Sequence, residues 1–66
     1  MEQQIQNRFL TEREVSVLTG FSLSKVQQDR FFRRGIPYCK VGRSIRYSLE
    51  DVLAFMDRHK IRHGDE

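Results

Sequence analysis

Apolar residues recur in this chain at a fixed distance on either side of a small hydroxyl residue. Leu10 and Val15 flank Thr11, Phe21 and Val26 flank Ser22, and Tyr47 and Val52 flank Ser48. Each set reads as a helix N-cap with a hydrophobic staple, in which the residue before the cap meets the residue four beyond it. Thr11 also has Glu14 as a capping-box partner, and Ser48 has Asp51 as a shorter one. The pattern predicts a first helix from Glu12 to about Thr19, with Val15 and Leu18 facing inward, and Gly20 ending it. Only Gly20 and Phe21 separate that helix from the Ser22 cap, the spacing of a helix-turn-helix.

The second helix starts after Ser22 and turns Val26 inward, leaving Ser24, Lys25, Gln27 and Gln28 to the side or outward. Continued past Arg30, the periodicity would send Phe31 to solvent and bring Arg30 and Arg33 inward. The helix is therefore expected to end near Arg30 to Phe32, with at least one phenylalanine folding back onto the core. Gly35-Ile36-Pro37 interrupts regular structure. Tyr38 to Val41 and Ile45 to Tyr47 read as two short strands joined by a three-residue turn, Gly42-Arg43-Ser44. Alternation puts Cys39, Val41, Ile45 and Tyr47 on an apolar face, with Lys40 and Arg46 on a cationic face. A third helix from Leu49 to about Lys60 carries an apolar stripe of Leu49, Val52, Leu53 and Met56, with Phe55 at its margin.

These elements predict an α+β fold, a small winged helix-turn-helix domain of three helices with a two-stranded hairpin wing between helices 2 and 3. The domain is expected over residues 9–61, with a flexible arm at 1–8 and a flexible tail at 62–66. Sixty-six residues allow one domain with a marginal core. The expected core is Phe9, Leu10, Val15, Leu18, Phe21, Val26, Phe32, Ile36, Val41, Ile45, Tyr47, Val52, Leu53 and Met56. Cys39 is the single cysteine, so no internal disulfide reinforces it, and it reads as a small core residue. No apolar run is long enough for a membrane span or a signal peptide, which predicts a soluble, cytoplasmic protein.

Charge sharpens the picture. Of the twelve basic residues, Lys25, Arg30, Arg33, Arg34, Lys40, Arg43 and Arg46 lie in one segment with a single acid, Asp29. That segment carries +6, while the remaining five basic and eight acidic residues carry −3, giving the formal net charge of +3. A cationic segment this dense attracts polyanions, and here it falls on a helix start and a hairpin.

The runs Phe9 to Val15, Ser22 to Val26, Gly35 to Tyr47 and Ser48 to Met56, in this order, resemble the small winged-helix proteins of the excisionase and AlpA-like regulator group, related to MerR-type DNA-binding domains. The Pro37-Tyr38-x-Lys40-Val41-Gly42-Arg43-x-x-Arg46-Tyr47 run carries most of the resemblance. It implies double-stranded DNA as partner and binding without chemistry. An excisionase, or recombination directionality factor, binds and bends attachment-site DNA of a phage or integrated element and assists integrase. An AlpA-like member regulates transcription with the same surface. Self-association on adjacent sites is also implied. Many relatives have Thr and Leu where this chain has Lys25 and Val26, so base preference does not carry over.

Ser24, Lys25, Gln27 and Gln28 are the expected base-reading residues, since Gln pairs with adenine and Lys donates to guanine; a solvated helix face is the alternative. Ser22 acts as N-cap, and the helix start favours a nearby phosphate. Arg33 and Arg34 are expected on phosphates. Arg30 either does the same or packs inward with Asp29 or Asp51. Arg43 at the hairpin tip is expected to enter a minor groove, with Ser44, Lys40 and Arg46 in support. His59 and His63 have metal-ligand spacing without a third ligand. No metal, cofactor or small-molecule substrate is expected, and no nucleophile–base pattern points to an enzyme. A protein-interaction module meeting an acidic partner is the competing class; an RNA binder lacks a stacking platform, Phe31 alone being insufficient.

Overall fold

The structure is a computed structural model that describes residues 8–61. Of the arm expected over residues 1–8, residues 1–7 lie outside the described residues, as does the tail over 62–66; Arg8 is described, and its carbonyl accepts from the Leu49 amide at 2.7 Å. Among the described residues six elements follow one another: β1 (Phe9–Leu10), α1 (Glu12–Thr19), α2 (Leu23–Phe31), β2 (Cys39–Val41), β3 (Ser44–Ser48) and α3 (Leu49–Arg58). The fold is α+β, with three helices and a three-stranded antiparallel sheet in the order β1-β3-β2.

All three helix starts carry the predicted hydroxyl cap, and the reciprocal box closes at Thr11, while at Ser48 the cap bond forms without the expected return from the Asp51 side chain. The Thr11 hydroxyl accepts from the Glu14 amide at 3.1 Å while the Thr11 amide donates to the Glu14 carboxylate at 2.9 Å, completing the capping box. Ser22 and Ser48 accept from the amides of Lys25 and Asp51. The staples go further than orienting the helices. Leu10, Val15, Val26, Tyr47 and Val52, five of the six staple residues, are buried, and among the described residues only Ile36 joins them in the innermost core. The sixth, Phe21, packs against this cluster together with Tyr38, Ile45, Leu49 and Phe55. The core is thus the place where three helix starts meet.

The α1–α2 turn is stitched by side chains. Gly20 takes the left-handed conformation at φ 84°. The Ser16 hydroxyl donates to the Phe21 carbonyl at 2.7 Å, and the Phe21 amide donates to the Thr19 hydroxyl. α1 packs on α2 and β3, and α3 packs on β3.

The sheet departs from the expected hairpin in two ways. First, the two residues of β1 add a third strand, pairing Phe9 with Ser48 and Leu10 with Tyr47. Second, the β2–β3 turn has two residues, Gly42 and Arg43, because Val41 pairs with Ser44. Positive φ at the first of these, Gly42 (62°), is what a tight primed hairpin turn asks of glycine. One residue fewer in the turn moves β2 to its opposite face relative to β3. Cys39 is opposite Arg46 and Lys40 opposite Ile45. Cross-strand partners share a face, so Leu10, Tyr47, Ile45 and Lys40 form the inner face, while Phe9, Cys39, Val41, Ser44 and Arg46 form the outer one. Cys39 and Val41 are therefore exposed rather than in the core, and Lys40 and Arg46 point to opposite sides rather than sharing a cationic face.

Other expected core residues are also exposed: Phe9, Leu18, Phe32, Leu53 and Met56. Leu18 lies on the margin of α1, whose single buried residue is Val15. In α3 the inward stripe is Leu49, Val52 and Phe55, rotated from the expected Leu53 and Met56 side. α2 does end at Phe31, but neither Phe31 nor Phe32 folds back; they are 74% and 60% exposed.

Candidate nucleic-acid interface

α2 sorts its residues by direction. Val26 is buried, and Leu23, Asp29 and Arg30 are half-buried, while Ser24, Lys25, Gln27, Gln28 and Phe31 are exposed. At 100° per residue, Ser24, Gln27, Gln28 and Phe31 make one outer stripe, with Lys25 to one side of it.

On the flank of that stripe an open groove of about 530 Å³ runs between the helix pair and β3. Its walls come from Thr11, Glu12 and Arg13 of the α1 start, Leu23, Gln27 and Arg30 of α2, and Arg43 to Arg46 of the β2–β3 hairpin. Five sequence-selected residues thus meet at one place: Gln27, Arg30, Arg43, Ser44 and Arg46. Arg13 was not anticipated there; the segregation of charge along the sequence excluded it, because it lies outside the basic segment and reaches the groove only through the α1–α2 packing.

At the groove floor, Arg30 donates from Nε to Glu12 Oε2 at 2.6 Å, and Gln27 Nε2 donates to Glu12 Oε1 at 3.2 Å. Arg30 is structural in this arrangement. Its partner is Glu12, in place of the Asp29 or Asp51 considered from sequence. Glu12 holds the first turn of α1 to the last turn of α2, and it fixes the Gln27 amide at the groove edge. Below them, burial first and then the Glu12 charge raise the Tyr47 hydroxyl above its ordinary range, so it stays neutral.

Lys25, Arg34 and Asp29 form a second network. Asp29 accepts from Lys25 Nζ and from Arg34 Nε, both at 2.9 Å. The Lys25 hydrogen bond, then that of Arg34, lowers the Asp29 carboxyl below its usual range. Lys25 also sits 5.1 Å from the Phe21 ring centroid. It lines a groove toward α3 with Phe21, Leu53, Met56 and Asp57, apart from the groove of Gln27 and Arg43. Ser24 and Gln28 stay on the outer stripe of α2, and Lys40 lies on the edge strand β2.

Arg33 has an unusual backbone. α2 ends in two bonds of the Schellman type, Arg33 amide to Arg30 carbonyl at 3.0 Å and Arg34 amide to Asp29 carbonyl at 2.8 Å. That motif places its next residue in the left-handed region, where glycine is usual. Here it is Arg33, at φ 57°. Arg33 is exposed, and among the described residues Arg13, Arg33, Lys40, Arg43 and Arg46 form no ion pair. Arg46 instead donates from Nη1 to the Ile45 carbonyl at 2.8 Å.

His59 donates from Nδ1 to the Phe55 carbonyl at 2.8 Å, and its ring lies tilted against the Phe55 ring, centroids 4.3 Å apart. His63, its expected partner, lies outside the described residues. Among the described residues no three His, Cys, Asp or Glu side chains converge as for a metal, and no helix is long and apolar enough to cross a membrane. No family model, curated protein or solved structure matches this chain.

Proposed function

We propose that this domain is a winged helix-turn-helix that binds duplex DNA, with α2 as recognition helix in the major groove and the β2–β3 turn as a wing. The observation that carries this reading is the groove joining Gln27 of α2 to Arg43, Ser44 and Arg46 of the wing, with Arg13 alongside. A helix stripe of small polar and amide side chains suits base edges. Unpaired arginines beside it suit phosphates and a narrow minor groove. The strained left-handed backbone at Arg33 is of the kind that accumulates at functional positions.

In this reading Ser24, Gln27 and Gln28 contact bases, Arg33, Arg13 and Arg46 contact phosphates, and Arg43 with Ser44 reaches the neighbouring groove. Lys25 and Arg34 neutralise Asp29 and add long-range attraction. Arg30 supports Gln27 from beneath. Binding is the whole activity, without catalysis or cofactor. The output is that of an excisionase acting with integrase on attachment-site DNA at the nucleoid; control of a promoter would use the same surface.

Selection of bound sequences from a random duplex pool tests the binding. Recovery of a defined site supports it, and uniform recovery of all sequences argues for an acidic partner instead. An excision assay with integrase encoded beside the protein, run on the selected site, separates recombination from transcriptional control.

A further inference from the structure

Phe31 is 74% exposed at the end of the helix proposed to read DNA, and the molecule holds it there rather than leaving it to collapse. Its ring meets the Phe32 ring edge-on, centroids 5.2 Å apart at 83°. The Arg34 guanidinium lies 5.2 Å from the Phe32 centroid, and Arg34 is itself fixed by Asp29 at 2.9 Å. Asp29 is held in turn by Lys25. A chain of four side chains thus buttresses one apolar ring at the surface. A solvated helix face gains nothing from such an arrangement, since exposed apolar area opposes stability.

Position decides what the ring meets. Ser24, Gln27, Gln28 and Phe31 are spaced i, i+3, i+4 and i+7, two turns of one helix face. Recognition helices reach successive base edges with a set of that spacing. Three of the four members here are hydrogen-bonding, and the last is apolar. The major groove presents one apolar feature, the C5-methyl of thymine. Arg33 and Arg34 follow the two rings in the chain, with Arg34 against Phe32, and such cations draw a polyanion and not an apolar peptide.

We infer that Phe31 is a specificity-determining residue that packs against a thymine methyl in the major groove, and that Phe32 is its positioning residue. This rests on the duplex-binding reading above. It makes the preferred site require a thymine at a set place relative to the bases read by Gln27 and Gln28.

The test replaces thymine by deoxyuridine, which lacks only that methyl. A site selected from a random thymine-containing duplex pool is resynthesised with deoxyuridine at each thymine in turn. The wild-type protein is expected to lose about fourfold in affinity at one thymine, the effect of burying one methyl-sized group. Phe31→Ala is expected to bind thymine and deoxyuridine versions equally, with unchanged thermal stability. Phe32→Ala is expected to shrink the ratio without abolishing duplex binding. Wild-type binding that is intact but indifferent to every methyl overturns the inference while leaving the DNA reading in place. So does a thymine preference that survives Phe31→Ala, because the methyl would then act through DNA shape or another residue. Failure to bind any duplex overturns both readings.

Discussion

Arg30 Nε lies 2.6 Å from Glu12 Oε2, joining the last turn of the second helix to the first turn of the first. The two side chains are 26% and 19% exposed, so the pair is largely withdrawn from water and acts on stability. Arg30→Ala leaves the Glu12 carboxylate with Gln27 alone. The expected loss is about 2 kcal/mol, the scale of a lost hydrogen bond to a charged, partly buried group. Denaturant unfolding of Arg30→Ala beside Arg43→Ala checks this: the first loses stability, and the second unfolds with the wild type.

Asp29 links acid stability to the cationic end of α2. Its carboxyl is held below the ordinary range, first by the Lys25 hydrogen bond and then by Arg34. A depressed folded value means that the stabilisation is fully present above the unfolded value, about pH 4, and is lost as pH falls through the folded value. Thermal unfolding from pH 7 to 2 is expected to show this loss in the wild type below about pH 4. Asp29→Asn is less stable at pH 7 and has a shallower dependence in that acid window. An unchanged acid profile in Asp29→Asn contradicts the assignment.

Arg33→Gly separates folding from binding. Glycine relieves a left-handed conformation that a side chain adopts at a cost of about 1–2 kcal/mol, partly offset by the greater freedom of glycine in the unfolded chain. Unfolding measurements should show a gain of up to about 1 kcal/mol, while duplex affinity falls. A variant that is both less stable and equally tight in binding contradicts the reading of Arg33 as a strained contact residue.

Gly35 gives the converse. A β-carbon there would lie 3.1 Å from Asp29 Cβ, and φ is +86°. Gly35→Ala is expected to destabilise by more than about 1 kcal/mol, measured by the same unfolding curves.

How far the chain announces these features differs by element. Helix starts were legible because capping is local: Thr11, Ser22 and Ser48 need only the next four residues to declare themselves. Their staples also located five of the six innermost core residues. The hairpin register was not legible, since Gly42-Arg43 and Gly42-Arg43-Ser44 are both acceptable turns and the apolar alternation favoured the longer one. That single residue misplaced Cys39, Val41 and Lys40 together. β1 is two residues long, too short for alternation to mark it. Phe31 and Phe32 misled because apolar character implies burial on average, whereas the Schellman turn at Arg33 carries the chain away before either can fold back. On the candidate interface, the basic segment identified Arg43, Ser44, Arg46 and Gln27, but the Glu12–Arg30 pair and the place of Arg13 depend on how α1 crosses α2. The pairing of Lys25 with Asp29 was available from their four-residue spacing, and it withdraws Lys25 from the set of unpaired cations.

The central claim is that the wing arginine and the second helix grip one duplex. Its most direct test is the salt dependence of affinity for the selected duplex, wild type against Arg43→Ala. The logarithm of the association constant should fall linearly with the logarithm of salt concentration, and Arg43→Ala should weaken binding with a slope reduced by about one, at unchanged thermal stability. Wild-type protein that binds no duplex at about 50 mM salt, or an Arg43→Ala variant with the wild-type affinity and slope, would contradict it.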